Sequence, residues 1–248
     1  MKCLTTKWYC LALSFLLLLS LTACGSSSQN SSTQQPTPEI QEPSTVADEN
    51  DNTDEVTNVP EAGTSKILVA YFSRIGNANL PDNVDTISSA SLNNTENGVQ
   101  GNTEILAKMI QKSVNGDLFL IEMEDKYPAE YSIIERQGLE ERDAKIRPKL
   151  ASHVENMDSY DVIYLGYPNW WFDMPMALYS FLEEYDLSGK TIVPFNTSGG
   201  SRFSHTIETI RELQPGATVS EGLTISQTLP DGTEDEVTDW LSKLGLPE

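Results

Sequence analysis

Cysteine stops at position 24. The chain holds Cys3, Cys10 and Cys24 and no thiol beyond them, which excludes disulfides, thiolate metal sites, iron–sulfur clusters and Cys nucleophiles from everything downstream. Histidine is almost as scarce. With only His153 and His205, a haem or zinc centre built from clustered imidazoles is not expected, and no metal site is assigned. His205 reads as a solvated residue at a helix start, and His153 carries still less signal. No Gly-x-Gly-x-x-Gly follows any strand-like run, which disfavours a dinucleotide-binding domain. Redox chemistry, if present, must therefore ride on an organic cofactor.

Positive charge is short as well. Residues 25–64 contain no aromatic, no Lys and no Arg, but eight acidic residues among Ser, Thr, Gln, Asn and Pro, a composition that cannot bury enough apolar surface to fold. From residue 65 onward there are 29 Asp plus Glu against 14 Lys plus Arg, a net charge of −15. Such a domain repels nucleic acid and anionic membrane surfaces. Solubility is the first reading of this acidity.

What is present begins with a basic start, Lys2 and Lys7, an apolar run from Leu11 to Leu21, and Leu21-Thr22-Ala23-Cys24. Residues 1–23 read as a secretory signal peptide, since the run is shorter than the roughly 20 residues of a membrane span. Leu-Thr-Ala-Cys resembles the bacterial lipobox. That resemblance implies a lipoprotein acylated at Cys24, located outside the cytoplasm and held to the membrane through lipid alone. No Arg-Arg pair precedes the run, which favours export of an unfolded chain and cofactor uptake outside the cytoplasm. Residues 24–64 are then the lipidated Cys and a flexible acidic tether, and 65–248 one folded domain.

In that domain Ile67–Phe72 is apolar without alternation, as in a strand covered on both faces. Asp117–Met123, Asp161–Leu165, Thr191–Phe195 and Thr218–Ile225 follow the same pattern. Helical patterns occupy Thr103–Val114 and about 129–146, 175–185, 203–213 and 233–244. Alternation of this kind predicts an open, doubly wound, five-stranded parallel α/β sheet with helices on both faces. Ligands bind such sheets at the carboxyl ends of the strands, and the loops after the first, third and fourth strands are chemically unusual.

The first loop starts at Ser73-Arg74 and ends at Gly101-Asn102-Thr103-Glu104, where a helix begins. Hydroxyls, a permissive Gly and free N–H groups at a helix N-terminus suit a phosphate, although Asn102 or Thr103 as a plain helix cap is an equally simple reading. The second, Gly166-Tyr167-Pro168-Asn169-Trp170-Trp171, sets two Trp at a strand end, where a planar ring could cover one by stacking while the other serves the core. The third, Asn196-Thr197-Ser198-Gly199-Gly200-Ser201, pairs hydroxyls with glycines that allow close backbone approach. It could also be a flexible polar turn.

Together these segments resemble the flavodoxin family. Tyr71-Phe72-Ser73-Arg74 resumed at Gly101-Asn102-Thr103-Glu104 is similar to its phosphate loop, interrupted here by residues 75–100. Pro168-Asn169-Trp170-Trp171 looks like the loop lining the flavin ring, and Thr197-Ser198-Gly199-Gly200-Ser201 like the loop at the ring's pyrimidine edge. Tyr127-Pro128-x-x-Tyr131 and Arg147-Pro148-x-Leu150 extend the resemblance from about 66 to 246. It implies a flavodoxin-like sheet in the order 2-1-3-4-5 and non-covalent flavin mononucleotide (FMN), with Ser73, Asn102 and Thr103 on the phosphate and Arg74 and Gly101 beside them. Asp231-Gly232-Thr233 lacks the continuation of a covalent attachment signal.

The resemblance implies electron transfer as a flavoprotein, with a redox partner protein or a small electron acceptor. An NAD(P)H-dependent quinone or flavin reductase is the alternative oxidoreductase, and a lipoprotein that kept the fold without flavin is a third reading. With a net charge of −15, carboxylates such as Asp173 and no Lys in these loops, the anionic reduced flavin is expected to be disfavoured. If Cys24 carries the anchor, Cys24→Ala releases the protein from the membrane fraction; unchanged retention on fractionation would overturn the assignment.

Overall fold

The computed structural model describes residues 65–246 except 83, 85 and 87–90. The signal segment, Cys24 and the tether lie outside the described residues. The described residues open with strand β1 (Ile67–Tyr71), whose five residues are all buried. Leu68, Ala70 and Phe72 join one core cluster while Ile67, Val69 and Tyr71 join another on the opposite face, which is why the run is apolar without alternation.

Strands β4 (Asp117–Leu120), β5 (Val162–Pro168) and β6 (Thr191–Ser198) pair in parallel in the order β4-β1-β5-β6. The short strands β7 (Thr218–Val219) and β8 (Leu223–Ser226) both pair with the outer edge of β6. Taking β7 and β8 as one interrupted strand, this is the expected 2-1-3-4-5 order. Helices α2 (Asn102–Val114) and α6 (Thr233–Leu244) cover one face through Leu106, Ile110 and Val237. Helices α3 (Tyr131–Asp143), α4 (Met176–Glu184) and α5 (Thr206–Leu213) cover the other through Ile134, Leu178, Phe181 and Ile210. Each such side chain contributes about 2 kcal/mol by leaving water.

The fifth strand departs from the continuous run expected over 218–225, and Pro194 supplies the reason. Ser220 N–H donates to Ile192 O at 3.0 Å and Gln227 N–H to Ser198 O at 3.0 Å, so the even-numbered positions of β6 face the fifth strand, and Pro194 offers no N–H there. The register accordingly slips by one, from Ile192↔Val219 to Phe195↔Leu223, with residues 220–222 forming a bulge.

Residues 75–100 end in an antiparallel hairpin, β2 (Leu92–Thr95) and β3 (Gly98–Gly101), the two forming a separate two-stranded sheet. Its polar strands gave no strand signal. Before it comes α1 (Arg74–Asn77), a single turn broken at Gly76, whose φ of 89° and 2.5 Å approach of a built Cβ to Leu120 require glycine.

Asn77, which showed no functional pattern, ties this region to the sheet. Its buried amide donates to Ser73 O and Ile121 O, both at 2.9 Å, and accepts from Met123 N–H at 2.8 Å. The side chain thus stands in for a strand where β1 has already turned away, and β4 stops at Leu120 although the apolar run continues to Met123. Asn77→Ala leaves buried backbone groups unpaired and is expected to cost about 3 kcal/mol in urea unfolding; a loss below about 1 kcal/mol would show that water replaces the amide.

Candidate functional site

The interruption of the first loop closes up in space. Leu92 pairs with Gly101 at the open end of the hairpin, and Asn102 N–H donates to Ser91 O at 3.0 Å. Ser73 therefore lies against Gly101, where a built Cβ would sit 1.9 Å from Ser73 Oγ. Any residue but glycine would fill this cradle. Ser73 is buried, and among the described residues its Oγ has no hydrogen-bond partner. The Glu104 carboxylate accepts from Gly101 N–H at 3.1 Å and pairs with Lys108 at 2.6 Å. Tyr71 beside it is pushed up to about 12 by burial and by the Glu104 charge.

Two contacts bring the third loop and the end of β8 to this cradle. Thr103 Oγ1 and Thr197 Oγ1 share a hydrogen bond at 3.0 Å, and Asn102 Nδ2 donates to Gln227 O just after β8. The second loop joins through Asn169 N–H, which donates to Thr197 O at 2.8 Å. Gly166–Pro168 and Asn196–Ser198, read as loop in the sequence, are the last turns of β5 and β6 in register. Ser198 Oγ accepts from Gly200 N–H at 3.1 Å and from Arg202 N–H at 2.7 Å, so that hydroxyl shapes the loop instead of facing outward.

Beside the cradle opens a pocket of about 370 Å³, lined by Asn169, Trp170, Trp171, Gly199, Ser201 and Gln227 together with Tyr131, Ile134, Glu135 and Phe172. Trp170 packs edge-on against Phe72 and Tyr127, each at 5.6 Å between ring centroids, and is the half-buried core member of the Trp pair. Trp171 is held from α3, with its Nε1 donating to Glu135 O and its carbonyl accepting from Arg142, both at 2.7 Å. Helix α3 supplies most of the wall that the sequence did not reveal. Only Tyr131, in Tyr127-Pro128-x-x-Tyr131, left a signal.

Arg74, which the resemblance sets beside the phosphate, is tied to the segment that leads into α3. Its side chain donates from Nη2 to Ala129 O at 2.6 Å and lies over the Tyr131 ring, 5.7 Å from the centroid. Burial holds its pKa below the ordinary arginine value. Behind the pocket, the buried Asp173 carboxylate accepts from Met174 N–H at 2.8 Å and from Tyr179 Oη at 3.0 and 3.1 Å, with His205 Nε2 at 3.6 Å.

Trp170 and Asp173 exchange backbone hydrogen bonds at 2.8 and 3.0 Å around a two-residue turn. Its central residues Trp171 and Phe172 have φ of 54° and 65°, the left-handed region that asparagine and glycine fill in such turns. A bulky side chain there costs roughly 1–2 kcal/mol, and Phe172 recovers little of it by burial, being 63% exposed. Strain of this kind collects at ligand sites. Phe172→Gly is therefore expected to stabilise the ligand-free domain by about 1 kcal/mol in thermal unfolding, whereas destabilisation would mean that the turn is not strained.

The comparisons with known proteins agree with this architecture. A family model described as Flavodoxin matches residues 95–244. A Bacteroides eggerthii protein of known structure, described as a candidate flavoprotein, is 30% identical over 73% of this chain and 99% of its own, with a TM-score of 0.56. Another from Bacteroides uniformis, described likewise, is 28% identical over the same shares, with a TM-score of 0.55. No curated protein matches the chain. With more than half of its length matched, and with the sheet order, crevice and loops described above, this chain belongs to the flavodoxin family.

Proposed function

We propose that this chain is an FMN-binding electron-transfer flavoprotein, anchored outside the cytoplasm through Cys24. The observation that carries the reading is the junction of a cradle and an aromatic pocket at the carboxyl edge of the sheet. Ser73 Oγ is buried without a partner among the described residues, against a residue whose lack of a side chain leaves it room, Gly101. An orphaned buried hydroxyl is costly, and a phosphate oxygen would accept its proton.

In this reading Ser73, Asn102 and Thr103 hold the phosphate with the N-terminus of α2, whose dipole favours an anion without a formal cation. Trp171 and Tyr131 wall the pocket of about 370 Å³ in which the ring would lie, while Trp170 braces it against Phe72 and Tyr127. Gly199 and Ser201 border its far edge. Bound FMN supplies reversible one- and two-electron chemistry that no side chain of this chain offers. The residues contribute binding, orientation and exclusion of water from the ring's buried side. The electron partner is a redox protein or a small acceptor, and the net charge of −15 from residue 65 onward disfavours an acidic one.

The test is a titration of the purified domain with FMN. Binding is expected to quench tryptophan fluorescence and to bring flavin absorption through gel filtration with the protein. Trp171→Ala is expected to weaken the affinity several-fold, as loss of a stacked ring does. Absence of any bound flavin would overturn the reading in favour of a lipoprotein that kept only the fold. NAD(P)H oxidation with a quinone at a steady turnover would replace electron carriage by the reductase reading.

A further inference from the structure

Arg74 is 2% exposed, yet it enters no ion pair among the described residues. One nitrogen donates to Ala129 O, and Nε and Nη1 reach no acceptor. Burying a guanidinium without a counter-charge costs several kcal/mol, and replacement by an apolar side chain of similar volume is often stabilising. The position is also electrostatically adverse. Ala129 lies one residue before the N-cap of α3, a 13-residue helix that carries no acidic residue in its first turn, and whose N-terminus presents the positive end of the helix dipole. Glu130 at its N-cap makes no capping bond. Two sources of positive potential therefore lie close together, with the Glu130 carboxylate beside them, in a domain with net charge −15.

Both sources lie directly behind the pocket. The guanidinium faces the Tyr131 ring, 5.7 Å from its centroid, and Tyr131 lines the cavity with Trp170 and Trp171. Tyr131 thus stands between the guanidinium and the ring pocket, and an anion in that pocket lies within reach of the Arg74 charge.

We propose that Arg74 is the counter-charge of the ring pocket, a buried cation that favours two-electron-reduced FMN over oxidised FMN. The inference rests on the FMN reading above. Two electrons and one proton leave the ring one unit more negative. Arg74 acts on that added charge through protein of low dielectric, without needing contact. Dispersed surface carboxylates act through water and are screened by salt; the near ones are Glu135 in the pocket lining and the buried Asp173, which Met174 N–H and Tyr179 Oη already satisfy, and Arg74 opposes these two. The net acidity of the domain consequently misstates the potential at the ring, contrary to what composition alone suggests.

The experiment compares dissociation constants for oxidised FMN and for FMN reduced anaerobically by dithionite, in the wild type, Arg74→Met and Arg74→Lys. Arg74→Met is expected to weaken the reduced form about tenfold more than the oxidised form, as a unit charge acting at a range of about 10 Å would do. The midpoint potential falls with it. Arg74→Lys, which restores the charge, stays close to the wild-type ratio. Equal weakening of both forms, an unchanged ratio, or a Lys variant that behaves like Met overturns the proposal. Arg74→Gln, read by the same ratio, replaces Met if that variant fails to fold. Wild-type protein that binds neither form overturns the FMN reading itself and the proposal with it, whereas binding with the wrong ratio overturns the proposal alone.

Discussion

The crevice depends on the exchange of backbone partners around Asn77. At the carboxyl end of β1 the chain turns out of the sheet, and the neighbouring segment after β4 would be left with an unmatched carbonyl at Ile121 and an unmatched N–H at Met123. One side-chain amide satisfies both while also fixing Ser73. Because the sheet can end raggedly here at no loss of buried hydrogen bonds, β1 departs early while β5 and β6 run on to Pro168 and Ser198. The recess between a short strand and two long ones is the site.

Those features of the sequence that follow from burial on two faces were legible. The apolar runs of β1, β5 and β6 announced a covered parallel sheet, and the Ser/Thr/Gly and Trp-Trp segments marked the loops that meet at its edge. What escaped depended on distant partners. Leu92–Thr95 is too polar to read as a strand and becomes one because Gly98–Gly101 returns along it. The bulge in the fifth strand is dictated by Pro194, which lies on its neighbour. Arg74 sits beside Ser73 in sequence, yet its long side chain reaches the start of α3, a destination that no local pattern encodes. The wall formed by Ile134 and Glu135 is likewise supplied by a helix whose pattern concerned only its own core face.

Local rules fail most densely in one place. Among the described residues a buried hydroxyl has no partner, a buried guanidinium has no counter-charge, and two aromatic residues occupy a backbone region suited to glycine. Each exception would be removed by a simple substitution if stability alone mattered, and their concentration around one recess is what a site fitted to something other than itself looks like. The rest of the domain, with strands covered on both faces and helices carrying apolar stripes, obeys the rules closely enough to carry that load.

The hairpin between Ser73 and Gly101 has a consequence for how the cradle is held together. In an uninterrupted loop the two halves would meet as near neighbours in the chain, whereas here 27 residues separate them. Closing the longer loop costs roughly 2 kcal/mol more in chain entropy than closing one of a few residues. The β2–β3 ladder and the bond from Asn102 to Ser91 offset that cost by clamping the segment at its base. The cradle is thus a tertiary contact and not a local motif. Its integrity rises and falls with a two-stranded ribbon that never touches the main sheet's hydrogen bonds, and a cut anywhere in that ribbon would loosen Ser73 from Gly101 while leaving every strand of the parallel sheet in register.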